Sequence, residues 1–98
     1  MTAVTITAIL RAKNGFEEAL QAELQKVAIG SKKEAGNIQY DVNRSIDDKG
    51  TFVFYEIWQD QQVLEEHLTT EHYQTYRRNI ESIVESREVY KLRQLSKG

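Results

Sequence analysis

Val4, Ile6, Ala8 and Leu10 alternate with Thr5, Thr7 and Ile9, so the chain opens on a strand whose two faces are both partly apolar. The stretch AKNG turns the chain. Asn14 is read as a helix N-cap, with Glu17 and Glu18 at the positive end of the helix dipole. Phe16, Ala19, Leu20, Leu24, Val27 and Ala28 then recur at helical spacing. Gly30 ends or interrupts this helix, and SKKEAG adds a short turn closed by Gly36. In NIQYDVNR, Ile38, Tyr40 and Val42 share one face of a second strand. SIDDKG is a polar hairpin loop, in which Gly50 supplies unusual backbone angles.

FVFYEIWQ is the third strand, with Phe52, Phe54, Glu56 and Trp58 on one face and Val53, Tyr55 and Ile57 on the other. Asp60 caps a helix through QQVLEEHL, and a break is expected at Thr69–Thr70. Beyond it Tyr73, Tyr76, Ile80, Ile83 and Val84 form the apolar stripe of a continued helix, and EVYKLRQL reads as a last strand. The order β-α-β-β-α-β is that of the ferredoxin-like α+β plan, an antiparallel sheet with helices on one face. Helices cover only one face of such a sheet. The apolar second faces of strands one and three therefore predict a two-fold homodimer with sheets packed face to face.

Composition narrows the options. Ninety-eight residues, 40% hydrophobic and 29% charged, fit one globular domain spanning 1–98, with no repeat, linker or low-complexity segment. A formal net charge of -2 without a basic block argues against nucleic acid as a partner. The start has no signal-peptide pattern and no apolar run is long enough to span a bilayer, so a cytoplasmic protein without membrane contact is expected. The absence of cysteine excludes disulfides, thiolate nucleophiles and cysteine-based metal centres.

EAGNIQYDV followed by FVFYEIWQDQQVLEEHLTTEHYQTY resembles the antibiotic biosynthesis monooxygenase family. That family typically reads Glu-x-Gly, a strand tyrosine, Glu-x-Trp, a helix histidine and a second histidine before an aromatic. Glu34, Gly36, Tyr40, Glu56, Trp58, His67, Thr70 and His72 supply the matches, and the likeness runs over essentially the whole chain. It implies a dimeric α+β barrel. Some members oxygenate quinols or polycyclic aromatics without flavin, haem or metal; others isomerise a phosphorylated signalling sugar or degrade haem, so the family constrains fold better than reaction. Asn37 departs from the cysteine or small apolar residue common there. The residues of VTITA and His67 lack the asparagine and tryptophan of haem-degrading relatives, which disfavours that activity.

Each candidate residue carries two readings. His67, beside Leu64 and Leu68, is either a general base or substrate-orienting group, or a buried histidine bonded to Glu56 or a carbonyl. Glu56 pairs with His67, fixing its tautomer, or makes a structural ion pair with Arg11, Arg44 or Arg93. Trp58, Tyr40, Tyr73 and Tyr76 either hold a flat aromatic substrate or belong to the core. His67 and His72 lie five apart, unlike an i, i+4 pair, and the break at Thr69–Thr70 leaves their geometry open. With two histidines and no cysteine no metal site is expected, and His72 is placed at the surface or a helix start. The leading expectation is a cofactor-independent monooxygenase that uses dioxygen on a quinol-like or phenolic small molecule. A small-molecule isomerase or tautomerase, or a non-catalytic ligand-binding module, is the alternative.

Overall fold

The computed structural model describes residues 2–96. Its elements are β1 (Val4–Ala12), α1 (Glu17–Lys32), β2 (Asn37–Arg44), β3 (Thr51–Trp58), α2 (Gln61–Leu68), α3 (Glu71–Ile80) and β4 (Val84–Leu92). The strands form one antiparallel sheet in the order β2-β3-β1-β4, so the ferredoxin-like α+β expectation holds. The second helical region is two helices, broken at Thr69–Thr70 as the pattern suggests.

The register sets the faces. Tyr40 lies opposite Glu56, Glu56 opposite Ile6, and Ile6 opposite Lys91, so these four form one row across the sheet. The next row runs through Val42, Phe54, Ala8 and Val89. Directly paired residues share a face, and this is the face the helices cover. Ile6, Ala8, Leu10, Phe52, Phe54 and Trp58 are buried there against Leu20, Leu24 and Val27 of α1, Leu64 of α2 and Tyr76 of α3. The opposite face is left open, with Tyr55, Tyr90 and Leu92 each more than a third exposed.

Several local expectations are corrected. Asn14 does not cap α1: the N-cap is Phe16, without a side-chain bond, and the entry is shaped by Gly15 at φ 92° with Glu17 accepting from its N–H. Gly50 has no positive φ; the hairpin loop is instead held by Ser45 and Asp48 side chains accepting backbone N–H groups. A register irregularity between Asn37 and Gln39 takes Ile38 out of the Tyr40–Val42 face and leaves it exposed. α3 ends at Ile80, so Ile83 and Val84 are not on its stripe, and the last strand already begins at Val84. Asp60 and Thr70 do cap α2 and α3, accepting from Val63 N and Tyr73 N.

Gly30 does not end α1, which runs on to Lys32. Its role is space: a Cβ there would sit 2.7 Å from Cγ of His72. Gly36 is alike, because a Cβ would lie 2.6 Å from the Cβ of Val63. These two close approaches draw the starts of α3 and α2 against the end of α1.

Candidate active site

Between α2, α3 and the β1–β4 side of the sheet lies a cavity of about 320 Å³. Its floor on the sheet is Ile6, Ala8 and Phe54, with Glu56 beside them on β3, and its helical wall includes His67, Tyr73 and Tyr76. Tyr40 also lines it, as do Arg87 and Lys91 of the edge strand. Most sequence-predicted site residues are therefore brought together around one hollow. Trp58 is not in its lining; it is completely buried behind His67.

His67 is 1% exposed. Its ring lies 4.3 Å from that of Trp58 at 34°, and 5.0 Å from Tyr73 nearly edge-on. The expected partner was Glu56, and this is corrected: Nδ1 of His67 meets Oε2 of Glu34 at 2.6 Å. Glu56 instead accepts from Nε1 of Trp58 at 2.9 Å, a bond between strand neighbours on the same face. Nor do the arginines proposed for Glu56 reach it. Arg11 pairs with Glu88, and Arg44 with Glu18 and Gln21.

Glu34 was missed as a site residue, although it was one of the motif matches. His72 was set aside at the surface, yet it is half-buried and its Nε2 meets the same Oε2 of Glu34 at 2.7 Å. Spacing alone could not place the two rings, because the expected break between them leaves their relative direction to tertiary packing. The break at Thr69–Thr70 turns α3 so that His67 and His72 point at one oxygen from two helices. The signal that could have revealed the contact was Gly30, a helix-weakening residue inside an otherwise regular amphipathic segment.

A carboxylate offers only acceptors, so both imidazoles donate N–H to it. His67 therefore carries its proton on Nδ1 and its lone pair on Nε2. Burial pushes the His67 pKa down, opposed by Glu34, so the neutral ring is the resting form. Burial raises Glu56 to about 7, against the opposing pull of the Trp58 N–H and Arg87. Tyr40 and Tyr76 are pushed well up by burial and stay protonated. Tyr73 OH accepts from Arg77 at 3.0 Å and Arg87 at 3.2 Å. The hollow thus has an apolar floor, a neutral base fixed in one tautomer, and a carboxyl group poised near neutrality.

Residues 3–79 match the family described as antibiotic biosynthesis monooxygenase. The chain belongs to the antibiotic biosynthesis monooxygenase family. Among curated proteins it is 30% identical over 73 residues to "Putative monooxygenase YcnE" of Bacillus subtilis (strain 168), covering 74% of this chain and 77% of that one. Among solved structures, PA3566 from Pseudomonas aeruginosa is 33% identical with a TM-score of 0.93, over 98% of this chain and 97% of that chain. Rv0793 from Mycobacterium tuberculosis is 26% identical with a TM-score of 0.92, over 98% of both chains. These likenesses support a monooxygenase-like role in general terms. No helix among the described residues of this family member is long and apolar enough to cross a membrane.

Proposed function

We propose that this protein is a cofactor-independent monooxygenase acting on a quinol-like or phenolic small molecule. The observation that carries the reading is the Glu34–His67 pair, which holds through Nδ1 an imidazole that lines an apolar-floored cavity. His67 Nε2 takes the proton of the substrate hydroxyl. The resulting electron-rich anion passes an electron to dioxygen, and the radical pair joins to form a C–O bond and a peroxide. The carbon then loses its proton as the O–O bond breaks. One oxygen atom stays in the product, the other leaves as water, and the substrate supplies all the electrons. Glu56, near its titration midpoint at neutral pH, returns the proton to the departing oxygen. The apolar floor and the Tyr73–Tyr76 wall orient the ring and exclude water.

The same base and acid would also serve a keto–enol tautomerase, because His67 and Glu56 both face the cavity. Oxygen separates the two readings. A menadiol-type quinol incubated under labelled dioxygen should yield a hydroxylated quinone carrying one labelled atom, and should be left unchanged without oxygen. Turnover that persists anaerobically, or oxidation equally fast with His67→Ala or in buffer alone, would overturn the monooxygenase assignment. The functional unit in this reading is a homodimer formed through the open sheet face.

A further inference from the structure

We propose that Glu34, His67 and His72 form a site for a divalent transition metal, and that its occupancy turns His67 from a proton acceptor into a proton donor toward the cavity. The ligand atoms, Glu34 Oε2, His67 Nδ1 and His72 Nε2, all lie within 4.8 Å of one another. They come from three separate elements, the turn after α1, α2 and α3. Two imidazoles and one carboxylate, with no thiolate, are a donor set that zinc and other first-row ions accept, leaving a further position for water.

Binding must open the two short contacts to Glu34 and bring the two imidazole nitrogens, now within 4.8 Å, to ligand spacing. Tetrahedral zinc with bonds of about 2.0–2.1 Å spaces its ligand atoms roughly 3.3 Å apart. Glu34 Oε2 sits 2.6 and 2.7 Å from the two nitrogens, so it must draw back by a fraction of an ångström. It stands in a turn, with its side chain partly exposed. Neither Glu34 nor His72 lines the catalytic hollow. His72 instead lines a separate surface hollow with Glu23, Lys26 and Glu71, in which Lys26 pairs with Glu23 at 3.2 Å.

The coupling follows from proton count. A neutral imidazole has one ring proton. Bonded to Glu34, His67 keeps it on Nδ1 and offers a lone pair at Nε2. A metal on Nδ1 takes that position, so the proton moves to Nε2. The base and the metal ligand are therefore mutually exclusive states of one residue. This consequence for turnover rests on the proposed role of His67 as base; metal binding and the tautomer change do not.

The test uses full-length protein freed of metal by chelation. Zinc is titrated by calorimetry, cobalt by visible absorption, and the His67 tautomer is read from ¹⁵N shifts without any substrate. The chain has two histidines and no cysteine, so competing sites are few. One ion per chain should bind at micromolar concentration or below, with the ligand-field bands of a four- or five-coordinate ion. His72→Ala and Glu34→Gln should each weaken binding at least about tenfold while keeping the far-ultraviolet spectrum of the parent. Zinc should move the His67 proton from Nδ1 to Nε2, and should abolish quinol turnover until chelator is added. No saturable binding at roughly millimolar zinc, equal affinity in both variants, or an unchanged tautomer with zinc bound would overturn the proposal. Turnover that fails for every quinol while the tautomer still switches would count against the monooxygenase reading alone.

Discussion

His67 meets Glu34 through Nδ1 at 2.6 Å, 33 residues back along the chain, and not the Glu56 that faces the same cavity. This contact decides which nitrogen of the base is free. Glu34→Gln leaves the two imidazole N–H groups a neutral amide oxygen in place of the carboxylate, so their shared acceptor loses its charge. We expect kcat to fall roughly 10–100-fold with KM little changed, because Glu34 acts through His67 rather than on the substrate. Steady-state kinetics with a quinol would check this, and an unaltered kcat would remove Glu34 from the mechanism.

Gly30 and His72 should show a reversal of sign. Gly→Ala in a helix ordinarily stabilises by about 1 kcal/mol. Here the new methyl would lie 2.7 Å from Cγ and 2.9 Å from Nδ1 of His72, so Gly30→Ala should destabilise by roughly 1–3 kcal/mol. In a His72→Ala background the obstacle is gone, and the same change should stabilise. Urea melts of the four proteins of this cycle give the answer. Equal effects in both backgrounds would show that the close approach is unimportant.

Glu56 sets a pH dependence of stability. Its carboxyl titrates near 4.5 in the unfolded chain and at about 7 in the fold. Between those values the native state holds more protons than the unfolded one, so stability falls as pH rises from about 4.5 to about 7. The loss is complete above that window and amounts to about 3 kcal/mol. Glu56→Gln should flatten this part of the profile while keeping an acceptor for Trp58 Nε1. A wild-type profile that is level between pH 5 and 8 would contradict the raised value.

The open sheet face should carry the dimer. Tyr55 on β3 and Tyr90 on β4 project there, 37% and 46% exposed in the single chain. Tyr55→Glu places a charge in the proposed interface, and light scattering should show the mass halved relative to the parent at equal concentration. A monomeric parent protein would remove the dimer from the functional reading.

Much of the fold was legible along the chain. Period-two alternation located β1 and β3, period 3.6 located α1, and Asp60 and Thr70 marked helix starts, because these signals depend on neighbours only a few residues away. Errors gathered where the local signal was ambiguous. Ile83 and Val84 continue the α3 stripe in spacing, yet the chain leaves the helix at Ile80 to pair Val84 with Ala12 on β1.

The sequence by itself determined the alternating faces of the strands and named His67, Glu56, Tyr40, Tyr73 and Tyr76 as candidates, because such patterns lie within single elements. Only the tertiary structure decided which carboxylate meets His67. Glu56 is near in register but is claimed by Trp58, two residues along its own strand face. Glu34 is remote in sequence and reaches His67 because Gly30 and Gly36 lack the side chains that would hold α3 and α2 away. A hydrogen bond is chosen by distances of tenths of an ångström between elements, and no periodicity within one element encodes that.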